Sequence, residues 1–249
     1  MKNKNIIITG SEGLLGKSFC KFMEKRCKNI FCLDLKDIKR KNYYKCDITN
    51  ENQVKKTIEA ISKKNKIDIL INNASVNPNA DSKMKVFKFT NYNLDSWKKN
   101  IEVDIIGSFL VSKYVLRAFE KQNYGKIINI SSIYGLVGPD QNLYSSNKKK
   151  YYGYKNLEYS VSKAGLIGFT KALASFYQSS KIEVICFILG GIENKLPSKF
   201  KQKYNSKNIS NRMAKKGEYN EILNFYCSDK ASYISGSCVF VDGGALSIL

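Results

Sequence analysis

A tyrosine and a lysine four residues apart, Tyr159 and Lys163, are the side chains whose spacing first indicates chemistry. In a helix this spacing places both side chains on one face. An ammonium group beside a tyrosine favours the phenolate form, so the pair could exchange a proton with a substrate hydroxyl or carbonyl. The chain has no histidine, so proton transfer near neutral pH must use tyrosine, lysine, cysteine or a carboxylate with a shifted pKa. Taken alone, such a pair is more often a surface feature in a chain with 16 tyrosines.

A glycine-rich segment near the start of the chain indicates a phosphate site. Gly10, Gly13 and Gly16 follow a short apolar run at the spacing GxxGxxG, and an amphipathic segment comes directly after them. Glycine permits a tight turn and a close approach of the backbone to a pyrophosphate, and the start of the next helix faces the anion. A glycine trio alone is a weak signal, because many strand-to-helix turns use glycine.

An acidic residue at the end of the second predicted strand strengthens this interpretation. Asp34 follows Gly16 at about the distance at which dinucleotide sites place the carboxylate that binds the ribose hydroxyls. A carboxylate here repels a 2′-phosphate, so NAD(H) is the favoured cofactor. Lys36 lies two residues later and could soften this preference, which keeps NADP(H) as the alternative.

Short apolar runs alternate with longer amphipathic segments along the chain, as in βαβ units that build a parallel sheet. The pattern predicts an α/β fold of the Rossmann type, a doubly wound seven-stranded parallel sheet with helices on both faces. The predicted strands are 5–9, 29–34, 42–46, 67–71, 126–131, 182–188 and 238–241. The predicted helices are 14–27, 51–64, 95–121 and 159–178, the second with Thr49 or Asn50 as its N-cap.

Length and composition predict one globular domain over residues 1–249. The least regular segments are 76–93, 136–158 and 193–217. We expect them to be loops near the site, because ligands of such sheets bind beyond the carboxyl ends of the strands. No run is long and apolar enough to cross a bilayer, and no secretory signal is recognised, so the cytoplasm is the expected location.

Cysteine content and charge narrow the functional classes. Seven cysteines with no CxxC pair and no histidine argue against a metal site or a disulfide framework. We expect small apolar fillers, with a reactive thiol as the less favoured alternative. The net charge of +21 comes mostly from lysine, whereas arginine is the usual reader of phosphates and bases. The sequence therefore predicts no nucleic-acid partner and leaves an anionic small substrate open.

The motifs together resemble the short-chain dehydrogenases/reductases in order and approximate spacing, over essentially the whole chain. The resemblance implies an oxidoreductase that transfers a hydride between NAD(P)(H) and an alcohol or ketone, and that forms homodimers or homotetramers. It rests on Thr9-Gly10, Asp34, Asp47, Asn72-Asn73-Ala74, Ser132, Tyr159-x-x-x-Lys163, Gly190-Gly191 and Val241-Asp242-Gly243-Gly244.

The resemblance also implies roles for individual residues. Ser132 would orient the substrate oxygen and Tyr159 would act as general acid/base. Lys163 would favour the phenolate and hold the nicotinamide ribose. The cofactor would contact Gly10, Ser11, Gly13, Leu15, Gly16, Asp34, Asp47, Ile48, Asn73, Ala74, Ser75, Tyr159, Lys163, Gly190 and Ile192.

Three features depart from the family pattern. The GxxGxxG spacing is more usual in the longer, extended members of the family. Leu189 stands where the family has a proline before Gly190. Asp104 occupies the position of the usual catalytic asparagine, which puts the relay of protons to Lys163 in doubt. Asp104 is either a catalytic relay residue or a carboxylate that pairs structurally with a lysine.

The chain between Ser132 and Tyr159 is longer than usual, and parts of 132–171 resemble bacterial members of the family in surface-carbohydrate and sialic-acid-like sugar biosynthesis. Its tyrosines and lysines suit a sugar face and an anionic group, so an anionic sugar derivative is the expected substrate. A solvated lysine-rich loop is the plain alternative. Two other functions stay open: a sugar-nucleotide epimerase or dehydratase that retains NAD, and a non-enzymatic dinucleotide-binding regulator.

Overall fold

The computed structural model describes residues 1–77, 89–147, 150–151 and 155–248. The strands within these ranges are β1 (Asn5–Thr9), β2 (Asn29–Asp34), β3 (Tyr43–Lys45), β4 (Ile69–Asn72), β5 (Gly125–Ser132), β6 (Ser145–Asn147), β7 (Lys150–Tyr151), β8 (Ile182–Leu189) and β9 (Cys238–Val241). The α-helices within them are α1 (Leu14–Met23), α2 (Glu51–Ser62), α3 (Leu94–Ile101), α4 (Ser108–Gln122), α5 (Leu157–Phe176), α6 (Ser198–Asn205) and α7 (Glu218–Cys227).

Seven of the described strands form one sheet in the order β3-β2-β1-β4-β5-β8-β9. Every neighbouring pair in it is parallel. The strands β6 and β7 form a separate antiparallel pair. The predicted seven-stranded, doubly wound α/β fold is therefore confirmed.

Alternate strand positions build a core on each face of the sheet. In β1, Ile7 packs on the face covered by α2 and α4, whereas Ile6 and Ile8 pack on the face covered by α1 and α7. Helix α5 lies on the same face as α4, where Ile167 meets Cys186 of β8. Strands buried on both faces read as nearly continuous apolar runs, which is why the sequence revealed them.

The predicted helices 14–27, 51–64 and 159–178 correspond to α1, α2 and α5, although α1 ends at Met23. Asn50 is the N-cap of α2, because its side chain accepts a hydrogen bond from the backbone N–H of Gln53 at 3.1 Å. Asn50 was one of the two predicted caps.

A π-helical turn interrupts the helix predicted over 95–121. The turn spans Glu102–Gly107 and lies between α3 and α4. At Gly107 the side chain of Ile48 packs so close that an added Cβ would overlap it. Asp104 lies inside the turn and is fully buried. Turns of this kind often occur at functional sites.

The prediction of an irregular segment over 193–217 was wrong in part, because it contains α6. The sequence of α6 is rich in lysine, and its two aromatic residues, Phe200 and Tyr204, pack into a small cluster with Leu143 and Tyr144. A short lysine-rich helix of this kind has too few apolar positions for its period to stand out. Helix α7, which follows this segment, was also not predicted.

The segment predicted as a loop over 136–158 contains a 3₁₀ turn at Gln141–Tyr144, the strand pair β6 and β7, and the start of α5. Residues 78–88, which make up most of the predicted loop 76–93, lie outside the described residues.

Candidate cofactor cleft and active site

A cleft with a volume of about 510 Å³ runs across the carboxyl ends of the central strands. It is lined by most of the residues predicted to bind the cofactor or to act in catalysis, namely Gly10, Gly13, Leu15, Asp34, Asp47, Ile48, Asn73, Ala74, Ser75, Ser132, Tyr159, Lys163 and Ile192. The predicted residues that lie behind its wall are Ser11, Gly16, Asp104 and Gly190. The arrangement follows from the fold, because the loops after parallel strands meet at one edge of the sheet.

The glycine turn at one end of the cleft has the shape of a phosphate cradle. Gly10 has a φ of +63°, and a Cβ there would collide with the backbone of Ala74. A Cβ at Gly16 would collide with the carbonyl oxygen of Gly10. At Gly13, by contrast, the nearest neighbour of an added Cβ is that same oxygen at 3.2 Å, and no other atom lies within 4 Å. The turn is thus closely packed at Gly10 and Gly16, whereas Gly13 faces open space.

The first turn of α1 leaves backbone N–H groups for an anion. Gly13 is the N-cap of α1, and within the described structure no side chain caps this end. The hydroxyl of Ser11 is buried and has no hydrogen-bond partner among the described residues. A helix N-terminus with uncapped N–H groups stabilises a phosphate. The turn therefore fits the pyrophosphate of a dinucleotide.

Asn73 fixes the turn from the neighbouring strand. Its side-chain amide donates to the carbonyl oxygens of Thr9 at 2.9 Å and Gly10 at 3.1 Å. The hydroxyl of Thr9 in turn accepts the backbone N–H groups of Asn73 and Ala74, each at 3.1 Å. Asn73 and Ala74 thus line the cleft and also hold the shape of the glycine turn.

The carboxylate of Asp34 faces the cleft at the end of β2. One oxygen accepts the backbone N–H of Glu12 at 2.8 Å, and the other accepts that of Lys36 at 3.2 Å. Each carboxylate oxygen can accept a further hydrogen bond, so Asp34 can still bind two ribose hydroxyls. Nearby, the largely buried side chain of Glu12 pairs with Lys17 at 3.4 Å and with Arg40 at 3.6 Å.

Ser132, Tyr159 and Lys163 meet at the other end of the cleft. Ser132 ends β5, and its hydroxyl accepts the backbone N–H of Tyr134 at 3.2 Å. Tyr159 and Lys163 lie in the first turns of α5, and the Lys163 ammonium nitrogen is 5.5 Å from the centroid of the tyrosine ring. Lys163 also donates to the carbonyl oxygen of Ile130 at 3.0 Å. The three side chains thus line the same end of the cleft, where they could exchange a proton with a bound substrate.

Asp104 lies behind this group and not in the cleft. One carboxylate oxygen accepts the hydroxyls of Ser75 at 2.8 Å and Ser162 at 3.0 Å, and lies 3.3 Å from the Lys163 nitrogen. The other oxygen accepts the backbone N–H of Val76 at 3.0 Å. Burial, the largest single effect, would lower the pKa of Lys163, but the charge and hydrogen bond of Asp104, together with the nearby Tyr159, outweigh it and the pKa is raised. Asp104 therefore keeps Lys163 protonated.

A second lysine, Lys155, lies against the ring of Tyr159 and was not predicted from the sequence. The Lys155 ammonium nitrogen is 3.8 Å from the centroid of the Tyr159 ring and donates to the side chain of Asn77, which lines the cleft. The backbone of Lys155 is fixed by two hydrogen bonds with the side chain of Gln141. Burial, with a smaller effect from Lys163, lowers the pKa of Lys155 to about 8. Its spacing of four residues before Tyr159 was the available signal.

A buried carboxylate, also missed, fixes the start of α5. Glu158 accepts hydrogen bonds from Tyr92, from Ser96 at 2.8 Å and from Asn156 at 2.9 Å. Burial opposes its negative charge, but these hydrogen bonds outweigh burial and the pKa of Glu158 is lowered. Through Tyr92 and Ser96, Glu158 thereby links the start of α3 to the start of α5. Two of its three partners, Tyr92 and Ser96, are distant in sequence, so no local pattern could have revealed them.

The described part of the chain shows neither a cluster of metal ligands nor a membrane-spanning helix. Its acidic and cysteine side chains nowhere form a group of three that could hold a metal ion. None of its helices has the length and apolar character that spanning a membrane requires.

Comparison with known proteins also indicates a nucleotide-dependent oxidoreductase. A family profile described as Enoyl-(Acyl carrier protein) reductase matches residues 24–245. The chain is 33% identical over 203 residues to a 3-oxoacyl-[acyl-carrier-protein] reductase of Aquifex aeolicus, a match that covers 80% of this chain and 73% of that protein. It is 30% identical over 207 residues to the corresponding reductase of Thermotoga maritima, with 81% and 75% covered.

A solved short-chain dehydrogenase from Leptospira borgpetersenii with bound NAD⁺ superimposes with a TM-score of 0.86 at 28% identity, covering 98% of this chain and 93% of that one. The chain belongs to the short-chain dehydrogenase/reductase family. The predicted family and its enzyme class, an NAD(P)-dependent oxidoreductase, are confirmed. The narrower resemblance to enzymes of sugar biosynthesis finds no support among these relatives.

Proposed function

We propose that the protein interconverts a secondary alcohol and a ketone with NAD(H) as its cofactor and Tyr159 as general acid/base. The observation that carries this proposal is that Ser132, Tyr159 and Lys163 face one cleft whose other end is the glycine turn. The glycine turn would hold the pyrophosphate and Asp34 the adenosine ribose. When bound, the nicotinamide supplies or accepts the hydride.

The chain's own residues handle the proton. In the reducing direction, Ser132 donates a hydrogen bond to the carbonyl oxygen, and Tyr159 transfers the proton of its hydroxyl to that oxygen. The Lys163 ammonium stabilises the phenolate that results. Asp104 would keep this ammonium charged as a positioning residue, in place of the usual asparagine. In the oxidising direction the same groups act in reverse.

Lys155 supports an anionic substrate. Its ammonium lies over the ring of Tyr159 and beside Asn77, on the border of the cleft where the reacting carbon would be. A half-buried ammonium favours a carboxylate or phosphate more strongly than one in bulk water. The predicted anionic sugar derivative fits this position, and so does any small ketone with a negative group near the carbonyl.

The wider setting is part of the same proposal. We take residues 1–249 as one domain and the segments 136–158 and 193–217 as the borders of the substrate mouth. The backbone N–H of Gly191 donates to the Tyr204 hydroxyl at 2.5 Å, which ties α6 to the loop after β8. We also propose a cytoplasmic homodimer or homotetramer without nucleic-acid or membrane partners.

A second candidate is the reduction of a 3-oxoacyl thioester, which the names of the curated relatives favour. NADH consumption should be measured with acetoacetyl-coenzyme A, 3-oxoacyl-carrier protein, keto-sugar phosphates and keto-uronates at equal concentrations. Turnover of the sugar acids or phosphates alone would support the first proposal. Turnover of the thioesters alone would replace it with the second.

The retained-cofactor alternative has its own test. An epimerase or dehydratase that recycles NAD keeps the nucleotide bound through purification. We expect denatured, freshly purified protein to release far less than one equivalent of NAD. A full equivalent would favour the epimerase or dehydratase instead.

Cofactor preference gives a direct prediction. NADH should bind with a Kd roughly tenfold lower than NADPH, about 1.4 kcal/mol, because the Asp34 carboxylate would face the 2′-phosphate. Asp34→Ala should narrow this ratio. Titration of nucleotide fluorescence measures both values. Asp37→Ala is the matched control, since that carboxylate is exposed and pairs with Lys45. Tighter binding of NADPH by the unmodified protein would contradict the assignment.

Lys155 gives a pH-dependent prediction. The groups that face it are Lys163, which lowers its pKa, and Asp104 and Glu158, which raise it. Its ammonium is present below a pKa of about 8 and is lost above it, so the KM for an anionic ketone should rise above that pH. Lys155→Gln should raise this KM roughly tenfold and remove its rise near pH 8.

The control for this change is Lys171→Gln, an exposed lysine on α5, the helix that begins just after Lys155. It should leave KM and its pH profile unchanged. If Lys155→Gln binds the anionic ketone as well as the unmodified enzyme does, Lys155 has no part in substrate binding.

A further inference from the structure

Two cysteines lie in contact beneath the proposed adenosine end of the cleft. Cys20 is on α1 and Cys32 is on β2, and their sulfur atoms are 3.4 Å apart. Both side chains are buried, at 3% and 4% exposure. No local motif pairs them, because they are twelve residues apart and the chain has no CxxC pattern. The fold brings them together because α1 packs on the face of the sheet to which Cys32 points.

The surroundings of Cys32 differ from those of the other buried cysteines. The hydrogen bond from Cys20 and the guanidinium of Arg40 lower the pKa of Cys32, although burial opposes them. Burial instead raises the pKa of Cys186 to about 12 and also raises that of Cys227. A thiol with a lowered pKa beside a cation is the kind that reacts with oxidants.

Arg40 also gives this thiol a route to solvent. Its side chain is 41% exposed and reaches from the surface to Glu12 and Cys32. Movement of one exposed side chain would therefore uncover Cys32 without unfolding the core. The second thiol, Cys20, is already in contact and serves as the resolving group.

We propose that Cys20 and Cys32 are a modification site at which a hydroperoxide forms a disulfide that weakens NAD(H) binding. The Cys32 thiolate attacks the peroxide oxygen, the O–O bond breaks, and a sulfenic acid forms as hydroxide or alkoxide leaves and takes up a proton. The Cys20 sulfur then attacks the sulfenic sulfur, and water leaves with the Cys20 proton. Two thiols and hydrogen peroxide thus give one disulfide and two waters, and an organic hydroperoxide gives one disulfide, one water and one alcohol.

The position of the pair links its oxidation to the cofactor. A disulfide requires a sulfur separation of about 2.05 Å, so the two sulfur atoms must approach each other by more than 1 Å from the observed 3.4 Å, and the bond then cross-links α1 to β2. Helix α1 begins at the glycine turn, and β2 ends at Asp34, two residues after Cys32. A shift between these elements changes the spacing between the phosphate cradle and the ribose carboxylate.

The first test maps the bond. The full-length protein is treated with graded hydrogen peroxide, the remaining thiols are alkylated after denaturation, and the peptides are analysed by mass spectrometry. We expect a linked Cys20–Cys32 peptide that has lost two hydrogen atoms. Cys27→Ser, which alters a part-exposed thiol just after the same helix, should still form it. Cys20→Ala and Cys32→Ala should not, and their melting curves show whether they fold.

The second test measures the effect on the cofactor and needs no substrate. The Kd for NADH of the oxidised protein should be at least about threefold higher than that of the reduced protein, and dithiothreitol should restore it. By linkage, saturating NADH should lower the ratio of disulfide to dithiol in a glutathione buffer by the same factor. Free thiols at both positions after peroxide treatment, or a bond to Cys27 instead, would overturn the site. An unchanged Kd after the disulfide has formed would overturn its effect on binding.

Discussion

Replacing Tyr159 with phenylalanine is expected to lower kcat by about 10² to 10⁴-fold, the range that a positioned general acid or base contributes. The change removes the transferable proton and almost no surface. The Kd for NADH should therefore change by less than about twofold, and the melting temperature should stay close to that of the unmodified protein. Steady-state kinetics with an active substrate and direct NADH titration measure the two effects separately.

The control for this prediction is Tyr177→Phe, which makes the same chemical change at the end of the same helix. The Tyr177 hydroxyl donates to exposed Glu120 at 2.6 Å, outside the cleft. Its loss should leave kcat unchanged. If Tyr159→Phe keeps near-normal turnover, the tyrosine is not the proton donor, and the half-buried Lys155 becomes the next candidate.

The sequence was most informative where local backbone requirements and burial act together. The strands were visible because burial on both faces demands apolar runs, as in residues 5–9. The glycine turn was visible because Gly10 and Gly16 occupy positions at which a Cβ would collide with backbone. The family motifs then placed Ser132 and Tyr159, which do line one cleft.

The parts that the sequence did not reveal depend on contacts between distant segments. Lys155 acquires its position only because Gln141 fixes its backbone. The buried carboxylate of Glu158 accepts a hydrogen bond from Tyr92, which is distant in sequence. The contact between Cys20 and Cys32 arises from the packing of a helix on a strand. Helix α6 carries too few apolar residues to show a period, so only its packing reveals it.

Asp104 is where this chain departs from its family at a position tied to chemistry, and the structure sharpens both interpretations of it. Its carboxylate is fully buried and accepts hydrogen bonds from Ser75, Ser162 and the backbone of Val76. It also forms an ion pair with Lys163. Asp104→Leu removes one partner of a buried ion pair, which costs about 3–5 kcal/mol. We therefore expect a large fall in melting temperature and the loss of most activity.

Asp104→Asn separates a positioning role from a purely structural one. The amide keeps the shape but removes the negative charge, so burial then dominates and the pKa of Lys163 should fall. In the unmodified protein the raised pKa keeps Lys163 charged through the neutral range, and its contribution to stability is lost only as pH rises through that alkaline value. The variant should therefore lose kcat/KM at a lower pH. Its stability should be lowered while Lys163 is charged in its buried site, and should no longer fall as pH rises through that alkaline value.

The matched control is Asp68→Asn, another buried carboxylate, which accepts the backbone N–H of Asn5 at 2.8 Å at the opposite end of the sheet. This change should lower the melting temperature without moving the pH profile of kcat/KM. If Asp104→Asn behaves in the same way, Asp104 only supports the fold. A downward shift of the alkaline limb in Asp104→Asn alone means that its charge sets the protonation of Lys163, and through Lys163 the proton transfer at Tyr159.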